Sequence, residues 1–414
     1  MRIVFYVLVT GISAVVTFAL AVLIWKLGVR YGWHPKIRDR DVHKSPTPRL
    51  GGVAMFLGMV IAFIAASQIP QLSLVFSGAG ASKVLGLLIA SLLIVLIGVA
   101  DDLWDLDWTA KLAGQIIAGG ILAWQGIQIS TLPIGGQTVV SAYISLSLTI
   151  FAIVLVMNAI NFIDGLDGLV AGVALIANGV FFIYTYLLQA DAQTDYFNLA
   201  SLVTAVLIGA CIGFLPINFH PAKMFMGDAG ALLVGLLMAS SAILVTGQVD
   251  PGVIAQPDKF TAYFLPAFIP VLLPFAVLII PLLDFGMAVI RRLRAGKSPF
   301  SADRLHLHHR LLDMGHSHLH AVLIFYGWTI VISVGCLAYM FVPWYMASLF
   351  ILIGAAVCAV FTLLPLSRRK ALEATAQLAP EGEVESDVAR FDGLDEASEI
   401  DDDLSAALPQ SKDT

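Results

Sequence analysis

Four polar residues recur every three positions in the stretch Asn158–Gly168, NAINFIDGLDG: Asn158, Asn161, Asp164 and Asp167. On a helix or a tight helical turn this spacing lines them along one side. Gly165 and Gly168 permit close backbone approach. Oxygen donors of this type suit Mg²⁺, and Asp or Asn can equally hydrogen-bond a base or a ribose. A polar helix–loop junction explains one or two such residues, not four in register.

Four other clusters carry comparable chemistry. Asp101-Asp102-Leu103-Trp104-Asp105, with Asp107 and Lys111 beyond it, follows the apolar run Leu92–Ala100. Adjacent carboxylates repel, which raises at least one pKa and suits either a cation site or a general base. Met226-Gly227-Asp228-Ala229-Gly230 opens another apolar run. Alone, Asp228 reads as an N-cap; sharing a compartment with the first cluster makes it a site candidate. In His43–Gly52, Lys44 and Arg49 could meet an anionic ligand or act as ordinary positive anchors. In Ser301–Arg310, the residues His306, His308 and His309 resemble a zinc pattern. No Cys accompanies them, and Arg304 and Arg310 would repel a cation, so a loop gripping phosphate or sugar hydroxyls fits better. His316, His318 and His320 read as a solvated loop or interface. Asp284 reads as the structural partner of a basic group near the membrane surface.

The elements that must position these residues are membrane spans. Of 414 residues, 59% are hydrophobic and 13% charged, and the mean hydropathy is +0.89. A soluble chain carries about a quarter charged residues. The fold class expected is all-α, a polytopic membrane helix bundle. About eleven apolar segments are long enough to span at roughly 17–25 residues each. They lie near 3–25, 50–69, 83–100, 110–128, 140–157, 165–188, 199–216, 228–247, 262–290, 321–341 and 343–366. Pro266, Pro270, Pro274 and Pro281 predict a bend in the ninth. The first is read as an uncleaved span. Cys211, Cys336 and Cys358 lie in apolar segments and read as small buried hydrophobes.

Loop charge sets the orientation. Lys26, Arg30, Lys36, Arg38, Arg40, Lys44 and Arg49 follow the first span, and Arg291, Arg292, Arg294, Lys297, Arg304 and Arg310 follow the ninth. The connections at 70–82, 129–139 and 189–198 would carry no Lys or Arg within these bounds. With eleven spans the basic loops share one side, the cytoplasm, leaving the N-terminus outside and the C-terminus inside. All five polar clusters then lie on the cytoplasmic face. Residues 1–366 form the transmembrane catalytic domain and 367–414 an acidic, disordered cytoplasmic tail. Ala379–Thr414 holds 12 Asp and Glu against Arg390 and Lys412.

Carboxylates with a cation, and Lys, Arg and His able to hold phosphates, argue for phosphoryl transfer between a soluble nucleotide substrate and a lipid. A secondary transporter is the rival from another class, but it predicts acids at mid-membrane and inverted repeats; a scaffold is supported only by the tail.

The same motifs, in order, resemble the polyprenyl-phosphate N-acetylhexosamine-1-phosphate transferases: PTPRLGG at 46–52, the Asp101-Asp102 pair with Lys111, NAINFIDGLDG, MGDAG at 226–230 and DRLHLHHR at 303–310. The resemblance covers about residues 1–366 and excludes the acidic tail. It implies transfer of a sugar 1-phosphate from a UDP-N-acetylhexosamine to undecaprenyl or another polyprenyl phosphate, with UMP released, at the cytoplasmic face of the plasma membrane. It implies Mg²⁺, with Mn²⁺ as an alternative, and no nucleic-acid partner; a homodimer is an open assembly. Asp228 matches the family's metal-binding Asp and Asn161 its neutral partner. Asp101 and Asp102 match a pair read as the catalytic base, or as helpers for lipid phosphate and metal. Lys111 matches a phosphate-contacting Lys, and Lys44 one that closes over uracil. Asn158, Asp164 and Asp167 fall with the substrate, the two acids near the nucleoside. Arg304 with His306, His308 and His309 looks like the element that reads the sugar and diphosphate. The peptidoglycan branch, which transfers phospho-MurNAc-pentapeptide, carries three consecutive His followed by an acid. His-Leu-His-His-Arg here favours the UDP-GlcNAc branch.

Overall fold

A computed structural model describes residues 2–32, 47–129, 131–133, 137–139, 141–191, 198–246, 276, 279–294, 296 and 307–378. The helices are α1 Arg2–Tyr31, α2 Gly51–Ser67, α3 Gly78–Trp104, α4 Trp108–Trp124, α5 Ala142–Ile163, α6 Leu169–Asp191, α7 Leu199–Asn218 and α8 Gly227–Thr246. They continue with α9 over 279–294, α10 Leu307–Asp313, α11 His318–Ala338 and α12 Trp344–Leu378. The one departure from an all-helical fold among the described residues is a small antiparallel hairpin, β1 Thr131–Pro133 with β2 Gln137–Val139.

Among the described residues, eight helices are long and apolar enough to cross a membrane: α1, α3, α5, α6, α7, α8, α11 and α12. Gly51–Ser67 is apolar but shorter. The chain is a multi-pass membrane protein. The residues foreseen as a bent ninth span fall mostly outside the described residues; from 279 they form α9. A first compact unit comprises Met1–Ala359, and a second Val360–Thr414.

The centre of the first unit is α8, packed on α2, α3, α5, α6 and α7. Its run Gly-Ala-Leu-Leu-Val-Gly-Leu-Leu-Met-Ala-Ser-Ser is apolar on every side and dotted with small residues. A helix with no polar face belongs in a protein core or in lipid, and small residues let neighbouring backbones approach. The buried hydroxyls are satisfied locally: Ser240 Oγ donates to the Leu236 carbonyl at 2.6 Å, and Ser241 Oγ to that of Met238 at 2.9 Å. At the opposite end of the bundle from the polar clusters, Tyr6 sits in an aromatic nest with Phe182 and Tyr186, and its hydroxyl accepts from Asn198 N at 3.2 Å.

Candidate functional site

The site is assembled where α3 ends and α8 begins. Phe225 N donates to the Pro48 carbonyl at 2.9 Å, and Gly51 N and Gly52 N donate to the carbonyls of Phe225 and Met226 at 3.1 and 3.0 Å. The PTPRLGG stretch, described from Thr47, thus lies against the segment leading into α8. Gly227 has φ +68°, a left-handed conformation open to glycine. A Cβ there would stand 2.4 Å from Asp102 Oδ2 and 2.5 Å from the Arg49 carbonyl. The Gly is therefore required for α2, α3 and α8 to converge.

The four acids of the α3–α4 connection divide their work. Asp105 is the C-cap of α3 with φ 55°, a conformation that Asp tolerates better than most residues. Asp107 is the N-cap of α4 and accepts from Thr109 N at 3.3 Å and from the Thr109 hydroxyl. Those hydrogen bonds, the hydroxyl's first, hold its pKa below the ordinary carboxylate value. Asp101 and Asp102, both buried, face α8 instead.

Lys111 Nζ bridges two carboxylates, 2.7 Å from Asp101 Oδ2 and 2.5 Å from Asp228 Oδ2. The side chains of Lys111, Asp101 and Asp228 are 23%, 11% and 27% exposed, so the cluster lines an opening rather than lying sealed in the core. The Asn161 side chain also hydrogen-bonds the Asp228 carboxylate. Asp102 accepts from Asp228 N at 3.3 Å through Oδ1 and from Ala229 N at 3.5 Å through Oδ2. It caps the first turn of α8 from another helix, accepting from backbone N–H groups that have no partner within α8. Asp102→Ala is expected to destabilise the fold by about 1–2 kcal/mol through the lost cap, whereas Asp102→Asn keeps an acceptor and retains UDP-sugar binding. Thermal unfolding and nucleotide binding of the two variants check this.

The regular spacing in Asn158–Gly168 does not become a single face. Helix α5 ends at Ile163, and Asp164 is its C-cap. Asn158 Nδ2 donates to Gln115 Oε1 at 2.6 Å and to the Val154 carbonyl at 2.8 Å, tying α5 to α4. Asn161 turns toward Asp228. Buried Asp167 accepts from His220 Nδ1 at 2.9 Å and Ala222 N at 3.0 Å. Burial, and then the charge of Asp228, pushes the Asp164 carboxyl up to about 7. A carboxyl whose folded pKa is raised costs stability progressively as pH climbs from its unfolded value, about 4, through the folded one. Asp164→Asn is therefore expected to raise the Tm at pH 8 by on the order of a few °C, with the gain fading toward pH 4. A gain independent of pH would contradict the assignment.

Lys44, Arg304 and His306 lie outside the described residues. The backbone of His308 and His309 belongs to α10, close after Leu307 N donates to Asp284 Oδ1 at 2.9 Å. Gln115, His220, Asn218 and Tyr326 also hold this end of the bundle together, and no motif in the sequence marks them. Asn218 Oδ1 accepts from Gly168 N at 3.1 Å, and Tyr326 donates to the Gly168 carbonyl at 2.6 Å. His318, read as solvated, stacks on His220 with ring centres 5.4 Å apart and planes 19° apart. A signal for His220 was present: it is a polar residue between the seventh apolar segment and MGDAG.

Among the described residues, no three His, Cys, Asp or Glu side chains are grouped to hold a metal alone. The oxygen donors of Asp228, Asn161 and Asp101 nevertheless fit Mg²⁺, which takes one or two carboxylates and completes its shell with substrate phosphates and water.

Residues 84–246 match the model of glycosyl transferase family 4. The chain is 40% identical over 362 residues to a decaprenyl-phosphate N-acetylglucosaminephosphotransferase of Mycolicibacterium smegmatis, covering 86% of this chain and 87% of that one. It is 28% identical over 318 residues to a probable undecaprenyl-phosphate N-acetylglucosaminyl 1-phosphate transferase of Bacillus subtilis, covering 76% and 79%. To the undecaprenyl-phosphate alpha-N-acetylglucosaminyl 1-phosphate transferase of Escherichia coli K12 it is 29% identical over 339 residues, covering 79% and 83%. The chain belongs to the polyprenyl-phosphate N-acetylhexosamine-1-phosphate transferases of glycosyl transferase family 4.

Proposed function

We propose that the chain transfers N-acetylglucosamine 1-phosphate from UDP-GlcNAc to a polyprenyl phosphate, starting a lipid-linked glycan of the cell envelope. The observation that carries this reading is the Lys111 ammonium set between Asp101 and Asp228, with Asn161 on the same carboxylate. Such a cluster offers both signs of charge to a diphosphate at the membrane edge. The names of the relatives supply the sugar and the class of lipid. Loop charge supports a cytoplasmic site on an eleven-span bundle, a catalytic domain at 1–366 and an acidic tail at 367–414.

In the mechanism, an oxygen of the lipid phosphate attacks the β-phosphorus of UDP-GlcNAc. The new P–O bond makes a polyprenyl diphosphate sugar, and the bond to the UMP oxygen breaks. A phosphate monoester is already largely ionised near neutral pH, with a second pKa near 6, so the attack needs no covalent Asp intermediate. Lys111 stabilises charge on the transferring phosphoryl group. Asp102 fixes the start of α8 and thereby Asp228. Asp228 and Asn161, with Asp101, would hold Mg²⁺, which when bound supplies Lewis-acid neutralisation of the diphosphate. Lys111→Ala is expected to lower kcat by about 10²–10³-fold, read in the same transfer assay.

The test is a panel of UDP-sugars with purified protein, Mg²⁺ and polyprenyl phosphate. UDP-GlcNAc is expected to give lipid-extractable product and UDP-MurNAc-pentapeptide none. Preference for the pentapeptide donor would overturn the sugar assignment, and a sugar phosphate trapped on an Asp would overturn the one-step route.

A further inference from the structure

Helix α9 turns its charges inward. Asp284, Ala288 and Arg292, spaced four apart along one side, are 2%, 0% and 3% exposed. Leu283, Met287, Ile290 and Leu293 on the other side are 54%, 45%, 52% and 56% exposed. Ionisable residues on a helix of a membrane bundle face the interior and mark a partner or a site there. The partner here is the end of α5. The Phe285 ring lies 5.1 Å from that of Phe162, and the Arg292 guanidinium sits over the Phe162 ring at 5.2 Å. Phe162 directly follows Asn161. Helices α5 and α8 touch where a Cβ on Gly235 would stand 2.6 Å from Met157 Cα. Asn161 is about one turn past that crossing, toward the start of α8. Asp284, next to Phe285, therefore lies beside the end of α5 that carries Asn161 to Asp228.

From that place Asp284 Oδ1 accepts from Leu307 N at 2.9 Å, across 23 residues of sequence. Leu307 opens α10, so the bond satisfies one of the backbone donors that a first helical turn leaves without an intrahelical partner. Leu311, 1% exposed, seats α10 in the core. Two points thus fix the short helix, and His308, His309 and Arg310 lie between them in the chain. A bond to a backbone N–H places the helix itself, so its loss displaces both His residues together.

We propose that Asp284 is a positioning residue: through Leu307 it holds α10, and with it His308 and His309, at the Asn161 end of α5, where this basic segment meets the phosphates of the nucleotide sugar. This rests on the transfer reaction proposed above.

Full-length protein in detergent provides the test, with amide hydrogen exchange over 307–313 read beside steady-state kinetics. Asp284→Ala is expected to speed exchange in α10 by about 10-fold and to raise the KM for UDP-GlcNAc by roughly 10–100-fold, with the KM for polyprenyl phosphate unchanged. Asp284→Asn keeps an oxygen acceptor and is expected to recover most of both. Leu307→Pro deletes the donor at the first helical position, which accepts proline, and is expected to reproduce the effects of Asp284→Ala with the carboxylate intact. The pair His308→Ala and His309→Ala is expected to raise the donor KM while exchange in α10 stays as in the wild type. Adding Asp284→Ala to that pair is expected to raise the donor KM little further, as for residues working as one unit. Unchanged exchange in both Asp284→Ala and Leu307→Pro would overturn the positioning. Faster exchange with an unchanged donor KM would leave Asp284 a structural cap, and full additivity would separate it from the two His; either result overturns the proposal. Wild-type protein that binds UDP-GlcNAc but makes no lipid product would refute the transfer reaction alone, with the role of Asp284 still decided by exchange in α10 and by affinity for UDP-GlcNAc.

Discussion

In Asp228→Ala the expected result is a loss of turnover of at least ~10³-fold, together with the loss of any response to Mg²⁺. Asp228 is the residue on which Lys111, Asp101 and Asn161 converge. Its removal leaves Lys111 with Asp101 as the remaining carboxylate partner of the pair and strips the cluster of its most exposed acid. The fold is expected to survive, because the first turn of α8 is capped by Asp102, whose bonds go to the backbone N–H groups of Asp228 and Ala229 and not to the side chain lost. The check is a transfer assay across a Mg²⁺ titration, paired with thermal unfolding. Full activity in this variant would end the metal assignment.

Gly98→Ala is expected to lower kcat by about 10²-fold and to reduce the Tm. A Cβ on Gly98 would stand 2.2 Å from Ala229 Cα and 2.4 Å from Ala229 N, both backbone atoms. Neither can swing aside as a flexible side chain would, so α3 and α8 must separate. Overpacking of this kind costs about 1–3 kcal/mol. The larger consequence is chemical. Asp101 and Asp102 ride on α3 about one turn after Gly98, while Asp228 rides on α8 beside Ala229. Shifting one helix by about 1 Å moves the two halves of the cluster apart, and a displacement of that size can cost 10²-fold in rate. Steady-state kinetics and unfolding of the same preparation separate the two effects. A variant with wild-type kcat and a lowered Tm would show that the α3–α8 distance does not set the chemistry.

The helices were legible because each apolar run is long and punctuated. Ten of the expected spans lie over α1 to α8, α11 and α12, and the ninth overlaps α9. The gathering of Asp101, Asp102, Lys111, Asn161, Asp164, Asp167 and Asp228 at one end was legible too, since alternating spans return every second loop to the same side. What each of these residues does there was not. Asp102 caps α8 only because α3 touches α8 at Gly98, a contact between distant segments that no local pattern encodes. The three-residue rhythm of NAINFIDGLDG suggested one face, but α5 stops at Ile163, so Asn158 meets Gln115 and Asp167 meets His220 on different neighbours. Gln115 is a lone amide in an apolar run and gave no signal apart from its partner. Asp105 and Asp107 looked like members of the acidic cluster; local backbone conformation makes them a C-cap and an N-cap.

The proposed reaction moves a phosphoryl group from a nucleotide sugar to a lipid at the Asp228 cluster. The most direct measurement uses UDP-GlcNAc labelled with ³²P at the β-phosphate, with purified protein, polyprenyl phosphate and Mg²⁺. The label is expected to enter the organic phase with one UMP released for each lipid product, and excess UMP is expected to drive it back to UDP-GlcNAc. Entry of intact UDP-GlcNAc into sealed vesicles, with no labelled lipid and no UMP, would contradict the claim.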